Sequence, residues 1–152
     1  MTKNKKRKGK IEMWIAIGII GFIALVIVIA LSADAPRRNE LKNLTISEID
    51  FSSLQDGTYI GAYHNTKSSL SDAEVEVVIE NGEIMQIVIT NGALAGEKQT
   101  TLINSTQSIN DLIQRIIDSK SLQVDVISGA TLTCNAHLKA IEDALIKAIK
   151  QD

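Results

Sequence analysis

The chain is poor in the residues that most often carry chemistry. Its 152 residues include one cysteine, one proline, two histidines, one tryptophan, two tyrosines and two phenylalanines. A lone cysteine, Cys134, cannot close an internal disulfide, so any folded part must be held by its apolar core alone. With only His64 and His137, and with no HExxH or CxxC, the usual zinc and dithiol signatures are missing. No carboxylates are paired by motif, so no side chain is assigned a catalytic role and no metal site is expected. Both histidines read as polar surface residues. Cys134 reads as a small buried residue, although the first turn of a helix would also favour a thiolate there.

The longest run without a charge lies near the N-terminus. The 19 residues from Met13 to Leu31, MWIAIGIIGFIALVIVIAL, carry none, and as a helix they would reach about 28 Å, close to the hydrocarbon thickness of a bilayer. The expectation is a transmembrane helix over 13–31. A signal peptide would share the basic start and an Ala33-Asp34-Ala35 flank, but its apolar region is shorter, on the order of 7–15 residues. A lipid anchor would need a cysteine just after the span, and Cys134 is far downstream. Six basic residues between Lys3 and Lys10 precede the span, and only Arg37, Arg38 and Lys42 closely follow it. That asymmetry predicts a cytoplasmic N-terminus, residues 1–12, and an extracytoplasmic C-terminal part at the cell membrane. The basic run fits topology and contact with membrane lipid better than nucleic-acid binding, so no nucleic acid is expected as a partner.

From Ser32 onward 10 Lys and Arg face 17 Asp and Glu, a formal charge of −7, which repels anionic ligands at long range. Residues 32–50 are polar and contain Pro36, and read as a linker to a domain over 51–152. Gly57 to Tyr63 and the alternating EVEVVIE of Glu74 to Glu80 suit strands with one buried face. Asn81-Gly82 fits a type I′ hairpin turn, with Glu83 to Thr90 returning. Ile109, Leu112, Ile113, Ile116 and Ile117 form one stripe of a helix over about 105–119, and Leu138, Ile141, Leu145, Ala148 and Ile149 line another over about 133–150. Val124 to Ile127 reads as a short strand between them. The fold class is α+β: a small antiparallel sheet with two helices packed on it, preceded by one transmembrane helix.

One stretch suits an anion. Asp125-Val-Ile-Ser-Gly-Ala-Thr-Leu-Thr133 runs into the last helix, where unpaired N–H groups and the positive dipole end gather. Ser128 and Thr131 supply hydroxyls, and Gly129 and Ala130 leave the backbone open. The plain alternative is that Thr131 or Thr133 simply caps the helix.

The same residues, DVISGATLT, resemble the flavinylation motif of the FMN-binding domain family, found in flavin-carrying subunits of sodium-pumping NADH:quinone oxidoreductase and Rnf-type complexes. Asp56-Gly57-Thr58-Tyr59 with Gly61, and Asn81-Gly82-Glu83-Ile84, resemble the family's opening strand and hairpin. Residues Asn91 to Lys98 match a glycine-containing loop of short members. The chain departs in having Cys134 where members often have serine, and Ala93 and Ala95 in place of loop glycines.

The resemblance implies FMN joined through its phosphate to Thr131 by a flavin transferase. Ser128, Gly129, Ala130 and Thr133 would lie around the phosphate, and Asp125 would serve motif recognition. It further implies an electron carrier that takes electrons from a membrane quinone or dehydrogenase, the acceptor being unknown. With Phe51, Tyr59 and Tyr63 as its only aromatics, the outer domain would stack the flavin ring on at most one of them. The reading from another class is an envelope binding module that keeps the fold without flavin and uses a groove near Asn91 to Lys98.

Overall fold

The computed structural model describes residues 3–149. The chain divides after Pro36 into two units, Met1–Pro36 and Arg37–Asp152. The first is almost wholly helix, the start of α1 (Lys3–Lys42). The helix over Met13–Lys42 holds an apolar window long enough to cross a membrane, and the protein buries none of that window. The side chains of the basic run at 3–10 lie outside the described residues.

The second unit begins inside α1, which continues past Pro36 to Lys42 rather than ending at a linker from Ser32. Pro36, which lacks an N–H and crowds the carbonyl one turn before it, lies inside this helix without ending it. The last turns of α1 are pinned to the domain. Glu40 accepts hydrogen bonds from the Tyr63 hydroxyl (3.0 Å), the Thr66 amide (2.9 Å) and the Thr66 hydroxyl (2.5 Å). Leu41 is buried, as is Ile49 further on. Between them the chain lies along the last helix, α3 (Thr131–Ala148). There Asn135 donates to the Leu41 carbonyl, Lys139 to the Thr45 carbonyl, and the Ser47 amide to Glu142. Glu142 is buried and paired with Lys139 at 2.5 Å. Burial alone would raise its pKa, but its bonds to Lys139 and Ser47 outweigh that and hold it low.

Three antiparallel strands follow, β1 (Gly57–Tyr63), β2 (Ala73–Glu80) and β3 (Glu83–Gly92), in the order β1-β2-β3. Asn81 (φ 54°) and Gly82 (φ 74°) both have positive φ, as a type I′ turn requires. Alternation on β2 turns Ala73, Val75, Val77 and Ile79 inward. A register shift opposite Val78 and Ile79 leaves Met85 extra in β3. Ile84 and Ile87 therefore face the same core despite their odd spacing.

Both edges of this small sheet are closed by side chains, which keeps exposed backbone groups from pairing with another chain. Gln99 accepts from the Ile89 amide and donates to the Ile87 carbonyl on β3. On β1, Asp143 accepts from the Ala62 amide and Lys147 donates to the Ile60 carbonyl.

The helix α2 (Ile109–Ser119) starts with its apolar stripe, later than the expected start near residue 105, because Ser108 and Asp111 cap it. Asp111 accepts from the Ser108 amide at 2.6 Å. Ile109, Leu112, Ile113 and Ile116 are buried. The last helix begins two residues before the predicted start and ends at Ala148, while Lys150 lies outside the described residues. Ala136, Ala140, Ala144 and Ala148 give it a smooth buried stripe. Gly61 of β1 sits against that stripe: a Cβ there would lie 2.1 Å from the Ala140 carbonyl oxygen and 2.7 Å from the Ala144 Cβ.

His137 is buried, 1 % exposed, and not the surface residue the sequence suggested. Its Nε2 donates to the Ala93 carbonyl at 2.7 Å, tying α3 to the loop after β3. Burial drives its pKa down to about 4, only partly opposed by that hydrogen bond. Cys134 is buried as expected, and burial pushes its thiol pKa up.

Two outcomes follow for the Arg37–Asp152 unit. Gly61→Ala forces α3 off the sheet and is expected to cost about 3 kcal/mol or more in urea unfolding. For His137 the unfolded chain, with an ordinary pKa of 6.5, binds a proton that the native state refuses down to about 4. Stability therefore falls as pH drops through that window, by up to about 3 kcal/mol. Unfolding midpoints measured from pH 7 to pH 4.5 are expected to decline in the native sequence and to flatten in His137→Gln.

Candidate functional site

The stretch leading to the last helix is irregular, and Val124 to Ile127 forms no strand with the sheet. Two buried side chains, Leu122 and Ile127, hold it down. Its polar anchors come from outside. Arg115 of α2 donates to the Asp125 carbonyl at 2.6 Å, and Gln123 donates to the Ile46 carbonyl. A tight turn then closes with the Ala130 amide donating to the Ile127 carbonyl. Gly129 occupies its third position at φ +87°. A Cβ at Gly129 would meet nothing, so glycine is needed there for backbone conformation rather than for space.

The helix begins without a side-chain cap. Its N-cap is Ala130, which has no oxygen to offer, and Thr131 is the first helical residue. The capping role considered for Thr131 or Thr133 is therefore not realised. The first amide bonded back along the chain is that of Cys134, to the Ala130 carbonyl at 2.9 Å. The amides of Thr131, Leu132 and Thr133 have no such partner among the described residues, the usual state of a helix start. The hydroxyls of Ser128, Thr131 and Thr133 make no hydrogen bond among the described residues either. Ser128 and Thr131 are exposed, and Thr133 is half-buried.

The result is a nucleophile-type hydroxyl, Thr131, beside three outward N–H groups at the positive end of an 18-residue helix. Such an arrangement favours a phosphate despite the domain's negative balance. Asp125 is exposed, and its carboxylate makes no bond among the described residues. The structure thus brings Ser128, Gly129, Ala130, Thr131 and Thr133 into one turn, with Asp125 just before it.

Next to the helix start lies a cleft of about 270 Å³. Leu132, Thr133, Ala136 and His137 of α3 form one side. Arg37 and Leu41 of α1, the 3-10 turn with Leu70, Ser71 and Asp72, and Ala93 form the rest. Among the described residues no tyrosine, phenylalanine or tryptophan lines it. Tyr63, buried, gives its hydroxyl to Glu40, and Phe51 borders a different hollow. Tyr59, half-buried, is absent from the lining as well. Its apolar walls are Leu41, Leu70, Ala93 and Leu132. The loop that carries Ala93 is shaped by positive φ at Gly92 (101°), Leu94 (67°) and Gly96 (61°) and by the bond from His137.

Sequence reasoning missed three contributors. Arg115 holds the motif through a backbone carbonyl, and Arg37 and Leu41 reach the cleft from a segment read as linker. Only the apolar Leu41 amid polar neighbours hinted at burial there.

An exposed hydroxyl beside free amides, next to an apolar cleft, fits the phosphate and ring ends of a flavin mononucleotide. A search of curated proteins and of solved structures finds no match to this chain. The model of the FMN-binding domain matches residues 70–146, from the cleft's Leu70 through the motif to most of α3. By that match, which spans half of its length, the chain belongs to the FMN-binding domain family, and FMN is its cofactor.

Proposed function

We propose that the protein is a membrane-anchored electron carrier whose outer domain holds FMN as a phosphoester of Thr131. The observation that carries this reading is the state of Thr131: first residue of α3, exposed, its hydroxyl unengaged, with open amides alongside. A threonine retained for stability would cap or pack. A bound flavin supplies reversible redox chemistry. The chain's own residues fix it and shape its surroundings. Thr131 Oγ1 would hold the phosphate, and the amides of Thr131, Leu132 and Thr133 would offset its charge. The aliphatic walls of the cleft would shield a ring bound there from water.

A covalent bond suits a carrier in dilute surroundings, where a reversibly held cofactor is lost once free ligand falls below its dissociation constant. Asp125, exposed and unengaged, is left available to a flavin transferase. The apolar part of α1 anchors the protein as a single pass. The basic run before it argues for a cytoplasmic N-terminus and an extracytoplasmic domain. Electrons would enter from a membrane quinone or dehydrogenase and leave to a second partner.

The intact mass of the full chain, produced with and without a flavin transferase, tests this directly. A mass gain of one FMN less one water, the net change when the Thr131 hydroxyl becomes its phosphoester, is expected only with the transferase, and none in Thr131→Ala. A second variant separates recognition from attachment: Asp125→Ala is expected to keep its unfolding midpoint while slowing FMN incorporation at least about tenfold, since its side chain contributes nothing to the fold. Unchanged incorporation in Asp125→Ala would remove the recognition role, and flavin on Thr131→Ala would remove the attachment site.

A further inference from the structure

His137 is buried, and its Nδ1 has no hydrogen-bond partner among the described residues. The other ring nitrogen settles what Nδ1 can do. Nε2 lies 2.7 Å from the Ala93 carbonyl oxygen, which can only accept, so Nε2 carries the proton. Burial holds the pKa at about 4, so the ring is neutral near pH 7 and Nδ1 presents a bare lone pair. An acceptor buried without a donor has given up its hydration and gained nothing in return. The fold itself makes no use of this one.

The open space that His137 borders is the cleft of about 270 Å³ beside Thr131. Leu132, Thr133 and Ala136 of the same helix line it too, so the cleft follows α3 away from its first turn. From Thr131 to His137 is about 9 Å along the helix axis. The two ends call for opposite chemistry. The helix start offers open amides, donors that suit an ionised phosphate. His137 offers only an acceptor, which an ionised phosphate cannot satisfy and an N–H or O–H group can. Leu41, Leu70, Ala93 and Leu132 give the space between them apolar walls.

FMN has the same polarity along its length. Its phosphate carries acceptors at one end. Its donors, the ribityl hydroxyls and the ring N3–H, lie further along. A flavin fixed by its phosphate at the helix start and laid along the cleft brings donors, not acceptors, toward His137.

We propose that His137 positions the flavin by accepting, at Nδ1, a hydrogen bond from an FMN donor, either the ring N3–H or a ribityl hydroxyl. The inference rests on the reading that FMN is held at Thr131. One imidazole then joins the cofactor to the loop after β3, with the Ala93 carbonyl on its other nitrogen. Because Nε2 is committed to Ala93, the ring cannot turn over to offer a donor without losing that bond. The cleft therefore selects for a donor at this level and opposes a ligand that places an acceptor there.

The full chain is tested in detergent by nitrogen NMR, with isotope label in the histidine rings, after production with and without a flavin transferase. His64→Gln leaves His137 as the one histidine, so its ring signals need no further assignment. An unprotonated imidazole nitrogen moves upfield when it accepts a hydrogen bond. The expected result is an upfield move of the His137 Nδ1 signal by several ppm on flavin attachment. Coupling across the bond to a flavin labelled at N3 would assign the donor to the ring, and the same move without coupling would assign it to a ribityl hydroxyl. An intact mass showing attached FMN, with the Nδ1 signal unmoved, would overturn the role of His137 and leave the Thr131 reading standing. A chain that takes up no FMN would overturn both.

Discussion

The seating of α3 on β1 governs this domain. Gly61 gives up a side chain so that the Ala140 carbonyl and the Ala144 methyl can lie where a Cβ would be. Every fourth residue of the helix from Ala136 to Ala148 is small, and the helix settles close to the sheet along its length. Dispersion falls off steeply with separation, so this contact returns most when nothing props it open. It also fixes an axis. Once the helix axis is set, the position of its first turn is set as well, and with it the candidate site.

Around this contact the polar groups are arranged to serve position. Asp143 and Lys147 come from the same helix and close the free edge of β1. Asn135, Lys139 and Glu142 hold the segment 41–47 against its other side. His137 reaches the loop after β3. One helix thus binds the sheet edge, the segment that follows α1 and a wall of the cleft. Its first turn is left with exposed hydroxyls and open amides. The structure concentrates its satisfied bonds along the helix and leaves the unsatisfied ones at its start, where an anion is useful.

Much of the fold was legible because period carries it. The alternation of Glu74 to Glu80, the Asn81-Gly82 turn and the stripe of isoleucines in α2 each specify an element through local geometry. The misread places share a different cause. Val124 to Ile127 has strand-like composition, but its backbone is held by Leu122, Ile127 and Arg115 instead of a neighbouring strand. Residues 32–50 look like a tether by polarity, yet Glu40, Leu41 and Ile49 make it part of the domain through partners far along the chain. His137 carries no sign in its neighbours that it is buried; its place follows from the register of α3 against the sheet.

By itself the sequence determined the apolar stretch of α1, the hairpin, the two amphipathic helices and the SGAT motif, because each is encoded in residues next to one another or one helical turn apart. Only the tertiary structure decided that Thr131 is exposed and free instead of capping its helix. It also decided that the cleft is walled by Leu41, Leu70, Ala93 and Leu132, without a tyrosine. Those outcomes depend on where α3 comes to rest on Gly61 and on which distant segments it then holds. They are set by packing between parts of the chain that carry no local record of one another.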